Sequence, residues 1–195
     1  YTKDTVVSAS GTRLVDGGGF NYGAHAASMM GLRTAAITRL SKEDSRVVDV
    51  LVELGVDVFP AYTPHSTHLR LHYPTSNVDE RVISVTQTAG VFTPDQVRDL
   101  QARAFLINAS TRGEVDLEVI REIRKKDTLL AADAQGFVRI IASDGTLTYD
   151  AWPEKQQVLS YIDILKADAV EAEMLTGKAD MKAAAQTIAG WGPRE

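Results

Sequence analysis

Four short stretches carry side chains of the right type and spacing for chemistry. Gly17-Gly18-Gly19-Phe20-Asn21-Tyr22-Gly23-Ala24 runs into the small-residue segment Ala26-Ala27-Ser28-Met29-Met30-Gly31-Leu32. Glycines let a backbone approach a ligand closely, and amides ahead of a helix N-terminus favour oxygen-rich groups. Asn21 adds an amide that both donates and accepts, which matches a hydroxyl. The plainer reading is a flexible turn feeding a packed helix. Lys166-Ala167-Asp168-Ala169-Val170-Glu171 sets two carboxylates on one turn after an apolar run; acidic residues there also stabilise a helix start generically. Asp133-Ala134-Gln135-Gly136-Phe137-Val138-Arg139 ends in a guanidinium able to pair bidentately with a phosphate or an acidic group. An Asp–Arg loop brace is its ordinary alternative. Asp4, in Thr2-Lys3-Asp4-Thr5, is a strand-end carboxylate, a position usually filled by a solvated turn residue.

The elements that position these residues alternate. Thr34–Leu40, Ala104–Ala109, Thr128–Asp133 and Ile162–Ala167 read as buried strands. Helical spacing predicts helices over Asp44–Leu54, Pro94–Leu100, Asp116–Lys126, Ala169–Leu175 and Met181–Ala189, with Gly55 as a C-terminal cap and Arg124, Lys125 and Lys126 suited to a helix end. Continuous apolar strands separated by helices imply an α/β fold with a parallel sheet covered on both faces. One region departs from this. Thr67–Tyr73 alternates, with Leu69, Leu71 and Tyr73 on one side and His68, Arg70 and His72 on the other. The turn Thr75–Glu80 and the β-rich Arg81–Thr86 complete a hairpin with one wet face. With Thr5–Ser8 it makes a small β-flap on a single α/β body spanning 1–195.

Composition removes several classes. The chain has 195 residues, 44% of them hydrophobic, a formal charge of −5 and no cysteine. The acidic balance argues against nucleic acid or an anionic membrane as partner. Without cysteine there is no disulfide and no thiolate metal site, which fits a cytoplasmic protein. No apolar run approaches the roughly 20 residues that span a bilayer. A metal site at His65, His68 and His72 is disfavoured, because two residues four apart on a strand lie roughly 13 Å apart. His25 is expected to line a pocket or to pack in its helix. The glycine stretch lacks the preceding strand and acidic partner of a dinucleotide fingerprint.

The motifs together resemble those of the PfkB-type, ribokinase-like carbohydrate kinases across nearly the whole chain. Asp16-Gly17-Gly18-Gly19-Phe20-Asn21 followed by small residues and Gly31-Leu32 is similar to the family's first signature. Gly55-Val56-Asp57-Val58 and Thr67 are similar to its Gly-Val-Asp and flap threonine. Ser41-Lys42-Glu43-Asp44-Ser45 stands where the family often has Gly-x-Asp-x-x-Gly, matching loosely. Lys166-Ala167-Asp168-Ala169-Val170-Glu171, ending in Leu175-Thr176-Gly177, resembles Lys-x-Asn-x-x-Glu, with Asp168 in place of the Asn.

The resemblance implies a three-layer α/β/α fold with a lid built from strands near 5–15, 56–60 and 67–86. It implies ATP- and Mg²⁺-dependent phosphorylation of a sugar, inositol or nucleoside hydroxyl. Asp4, Gly17, Gly18 and Asn21 would bind the acceptor, Asp168 and Arg139 the nucleotide, and Glu171 the metal. A homodimer through the flap is a further implication. The family's Gly-Ala-Gly-Asp motif supplies the catalytic base; no Gly-x-Gly-Asp occurs in this chain, so no catalytic residue is expected within it. The chain is accordingly read as the N-terminal two-thirds of a longer enzyme, inactive alone. Two rivals remain: a non-catalytic sugar- or nucleoside-binding protein of the same fold, and a nicotinamide-dependent oxidoreductase.

Overall fold

A computed structural model of the chain describes residues 1–77 and 80–195. Val78 and Asp79, within the turn expected between the two flap strands, lie outside the described residues. The chain divides into two compact units, Tyr1–Gly90 with Ile141–Thr148, and Val91–Ile140 with Tyr149–Glu195. No helix among the described residues is long and apolar enough to cross a membrane.

In the first unit, β1 (Thr2–Ser8) and β2 (Gly11–Gly17) form an antiparallel hairpin that leads directly into α1 (Gly18–Met29). β5 (Thr67–His72) pairs in parallel with β1, and β6 (Val82–Gln87) pairs antiparallel with β5, giving the order β2-β1-β5-β6. The register sets Asp4 opposite Val15 and Leu69, and Val6 opposite Arg13 and Leu71. Side chains alternate along a strand, so Asp4 and Val6 share a face with Leu69 and Leu71. Thr5 shares the other face with Arg70, which is exposed, as is His72 on the same side of β5. The expected split of the alternating flap strand is therefore present.

β3 (Ala35–Ser41) and β4 (Asp57–Thr63) form a separate parallel pair, connected by α2 (Arg46–Glu53). Residues 56–60, expected among the flap strands, fall at and just before the start of β4, which pairs with β3 along its whole length and not with the four-stranded sheet. The cause is apolar: Val56 is buried in a cluster with Ala24, Ala36 and Leu51, and Phe20 and Val58 pack against it. That burial anchors the start of β4 to α1, α2 and β3.

The second unit is built on a parallel three-stranded sheet, β7 (Ala104–Ile107), β8 (Leu129–Asp133) and β11 (Ile164–Lys166), in the order β11-β8-β7. The connections carry helices. α3 (Asp95–Arg98) packs on α4 (Leu117–Ile123), and α7 (Ala169–Thr176) packs on α8 (Met181–Ala189). Asp116 caps α4 by accepting from the Glu118 and Val119 amides, each at 3.0 Å. α5 (Gln135–Val138) follows β8 at once, and α6 (Lys155–Leu159) precedes β11. Leu130, Ile120, Leu159 and Leu175 are fully buried, and the rings of Phe137 and Trp152 stack with centroids 4.6 Å apart. The hairpin of β9 (Arg139–Ile141) and β10 (Leu147–Tyr149) carries the chain out of the second unit into the first and back. Both strands are only three residues long, too short for a periodic pattern to show in the sequence.

Candidate functional site

In the first unit the candidate residues gather where β1 meets the turn from β2 into α1. Asp4 is buried on β1, and its Oδ1 has no hydrogen-bond partner among the described residues. Burial pushes its carboxyl above the usual carboxylate range, while the Thr2 hydroxyl and nearby His68 act in the opposite direction. His68 is held by a 2.8 Å hydrogen bond between its Nε2 and the Thr5 hydroxyl. Gly17 lies against Asp4 so closely that an added Cβ would collide with the carboxylate, and it would sit 2.9 Å from Thr2 Oγ1. Gly18 has φ +86, and its Cβ would sit 2.9 Å from the Thr2 amide nitrogen. Both positions require glycine for the fit against β1 itself, whatever the ligand.

Asn21 Nδ2 donates to the Asp16 carbonyl at 2.9 Å, bracing the strand-to-helix turn from inside. His25 Nδ1 is 2.8 Å from the Asn21 carbonyl, one turn back along the helix. Asp16 faces a different set of partners: it accepts from the Tyr1 hydroxyl at 2.7 Å and from Arg46 at 2.9 Å. Burial, and then the Asp16 carboxylate, push the Tyr1 phenol well above its ordinary range. Sequence reasoning did not single out Asp44, yet it is buried and accepts from Lys3 Nζ at 2.8 Å and from Ser66 Oγ at 2.6 Å. Burial raises its carboxyl, but the Lys3 and Ser66 hydrogen bonds outweigh it, so the group lies below its ordinary range. The signal was the acidic run at 43–44, in a loop whose match to the family pattern was loose.

In the second unit a cluster of charge lies at the carboxyl ends of β8 and β11, the edge at which open α/β sheets bind ligands. Asp168 caps α7: its Oδ1 accepts from the Glu171 amide at 2.8 Å, and Glu171 Oε2 accepts from the Asp168 amide at 2.9 Å, a reciprocal capping box. Glu171 is 1% exposed and its Oε1 has no partner among the described residues. Burial is the main cause that holds its carboxyl above the ordinary range, with the Asp168 amide working against it.

Lys166 Nζ stands 3.2 Å from Asp133 Oδ2 and 3.9 Å from Glu171 Oε2, bridging two carboxylates from different elements. Its partial burial lowers the ammonium pKa, but Asp133 and then Glu171 reverse the sign. Lys166 opens the matched motif, yet no role for it follows from residue type and spacing. Arg139 makes its contacts with Tyr149. Its guanidinium lies 5.6 Å from the Tyr149 ring centroid and donates to the Tyr149 hydroxyl at 3.3 Å.

An Asn or an Asp serves equally as a helix N-cap, so the capping geometry accounts for Asp168 standing where the resemblance expects Asn. Among the described residues no three His, Cys, Asp or Glu side chains form a group that could hold a metal ion. Glu171 Oε1 is nevertheless a hard, partnerless oxygen. Mg²⁺ keeps several waters and takes one or two carboxylates besides a substrate's phosphates, so the residues present fit a magnesium ion held chiefly by its phosphate ligand. The Lys166 ammonium beside the same carboxylates competes with it.

No protein-family model matches the chain, and no curated protein does. Solved structures do. A pyrophosphate-dependent kinase in the ribokinase family, in a sulfate complex, is 32% identical with a TM-score of 0.91; the match covers 99% of this chain and 68% of that one. A pyrophosphate-dependent kinase in the ribokinase family complexed with a pyrophosphate analog and myo-inositol is also 32% identical, with a TM-score of 0.90 and the same coverage. The ribokinase of Arabidopsis thaliana, complexed with ribose and ATP, shares the fold at 18% identity and a TM-score of 0.68, over 99% of this chain and 67% of that one. With identity above 30% over 99% of its length and TM-scores of 0.90 and 0.91, the chain belongs to the ribokinase family of kinases.

Proposed function

We propose that this chain supplies the acceptor-binding part of a kinase that phosphorylates a hydroxyl of a small cyclic polyol of the myo-inositol kind, with pyrophosphate as the phosphoryl donor. The observation that carries this reading is the 32% identity, over 99% of the chain, to pyrophosphate-dependent kinases, one of them complexed with myo-inositol. Asp4 suits the acceptor. A buried carboxylate oxygen without a partner costs on the order of 1–3 kcal/mol, and a polyol hydroxyl donating to Oδ1 would offset it. Gly17 and Gly18 shape the wall beside that carboxylate, and Asn21 fixes the turn that presents it. At the other cluster Asp168 caps the helix that carries Glu171, and Glu171 offers its open oxygen to a magnesium ion. That ion, when bound, neutralises charge on the donor phosphates. Arg139 belongs to the donor side of this proposal through its guanidinium.

ATP is a second donor reading, favoured by the Arabidopsis thaliana ribokinase complex and by an aminoimidazole riboside kinase from Salmonella enterica complexed with aminoimidazole riboside and an ATP analog. The proposal further takes the enzyme to act in the cytoplasm and to pair as a homodimer through the four-stranded sheet; sedimentation giving a monomer at micromolar concentrations removes the dimer.

Calorimetry on the protein, titrated with myo-inositol, ribose and a nucleoside, tests the acceptor. Myo-inositol is expected to bind at least tenfold more tightly than ribose, and Asp4→Asn to remove that binding. Absence of binding by every polyol sinks the proposal. Titrating Mg²⁺-pyrophosphate against Mg²⁺-ATP after saturation with the acceptor decides the donor.

A further inference from the structure

The three parallel strands of the second unit have a second edge, where the chain enters them, and cations crowd it. Arg103 immediately precedes β7; Arg124 and Lys126 lie between α4 and β8; Arg194 runs beside β11, its amide donating to the Asp163 carbonyl at 2.8 Å. These four line a crevice of about 550 Å³ together with two carboxylates, Asp127 and Asp163. Four cations against two anions make a locally positive site in a chain whose formal charge is −5.

The floor of the crevice is fixed. Asp163 is buried and accepts from Arg124 at 2.8 and 3.3 Å and from the Leu130 amide at 2.9 Å. The Thr128 hydroxyl ties the start of β8 to the Ala102 carbonyl at 2.9 Å. Asp163 is therefore already neutralised by Arg124, and little of its charge is left for the rim. Arg103 makes no side-chain hydrogen bond or ion pair among the described residues and is exposed. Arg194 reaches Asp163 only at 3.6 Å, with its side chain 82% exposed. Lys126 Nζ has a long 3.4 Å contact to the Glu122 carbonyl. On the rim, Asp127 alone opposes these three.

The volume falls within the range of small-molecule sites rather than that of a bare halide, and two guanidinium forks with one ammonium suit tetrahedral oxyanions of high charge. We propose that this crevice binds a small, multiply charged phosphate compound, at the opposite edge of the sheet from Asp133 and Glu171. This inference does not depend on the kinase reading, since it concerns different residues and needs no turnover.

The test is a titration of the isotope-labelled protein with sodium pyrophosphate at matched ionic strength, followed by amide resonances. Saturable shifts at Leu129, Leu130 and Ile164 are expected. Arg103→Glu and Lys126→Glu should each weaken that saturation at least tenfold, while Lys182→Glu, at an exposed position of α8, should leave it unchanged. Arg103 is exposed and makes no side-chain bond among the described residues, and Lys126 gives up only its long contact to the Glu122 carbonyl, so the variants are expected to fold, which unchanged amide resonances away from the crevice would check. Shifts confined to residues 133–135 and 168–171 would overturn the proposal, as would a linear response at the strand entrances or equal weakening by Lys182→Glu. Loss of polyol binding by Asp4→Asn with these shifts intact separates the two proposals.

Discussion

At Gly17 a single methyl group would collide with the carboxylate of Asp4, and at Gly18 it would meet both a positive φ and the Thr2 backbone. Gly17→Ala is accordingly expected to cost about 2 kcal/mol by overpacking, measured by urea unfolding, and to weaken polyol binding along with stability. Glu171 makes a prediction of opposite character. Its folded carboxyl is raised above the ordinary 4.5. The stability it contributes is thus fully present below that value and is lost as pH rises through the folded pKa. Glu171→Gln keeps an oxygen for the Asp168 amide and removes the buried charge. The variant should therefore show a shallower decline in stability above pH 4.5, read as Tm against pH, and should lose Mg²⁺-dependent donor binding. The carboxylates at positions 4 and 171 were legible from their motifs. The reason for the two glycines was not, because it lies in β1, more than ten residues away in sequence and adjacent only through the hairpin register.

Among the elements, α7 depends on a reciprocal cap. Asp168→Ala should cost about 1 kcal/mol while Asp168→Asn is nearly neutral, a difference that thermal unfolding resolves. The starts of β8 and β11 depend on Asp163, which holds Arg124 and the Leu130 amide together. Burial raises its carboxyl, but the Leu130 amide and Arg124 outweigh that, and the group titrates below its ordinary 3.8. Its contribution is present above that value and fades as pH falls through the folded pKa. Removing it by Asp163→Ala leaves a half-buried guanidinium unpaired, at about 3 kcal/mol.

The long apolar runs foretold the strands well: Thr128–Asp133 became Leu129–Asp133, and Ile162–Ala167 became Ile164–Lys166. Several short elements escaped, α5 and α6 among them. The hairpin of β9 and β10 is too short to show periodicity. The pairing of β4 with β3 is not legible either, because Val56 and Val58 look alike whether a strand joins a flap or a core; the burial of Val56 with Leu51 and Ala36 is a tertiary fact.

For the molecule as a whole, acid should act on both units, since Asp44 in the first and Asp163 in the second both titrate below their ordinary range. Both tryptophans, Trp152 and Trp191, lie in the second unit. Their fluorescence follows that unit, whereas far-ultraviolet circular dichroism follows both. Asp163→Asn should therefore move the fluorescence transition to higher pH on acid titration, and Asp44→Asn should move the dichroism signal without the fluorescence.

The short segment that leaves one unit to lie in the other bears on how this architecture can be divided. The Val85 amide donates to the Gly145 carbonyl at 2.8 Å, and Ser84 bridges Thr146, so residues 145 and 146 lie against the middle of β6. A gene segment ending at residue 90 would encode the four-stranded sheet without that contact, leaving a bare edge strand open to self-association. Recombination at the unit boundary therefore cannot exchange either half intact: the two must be inherited together or cut at three places at once.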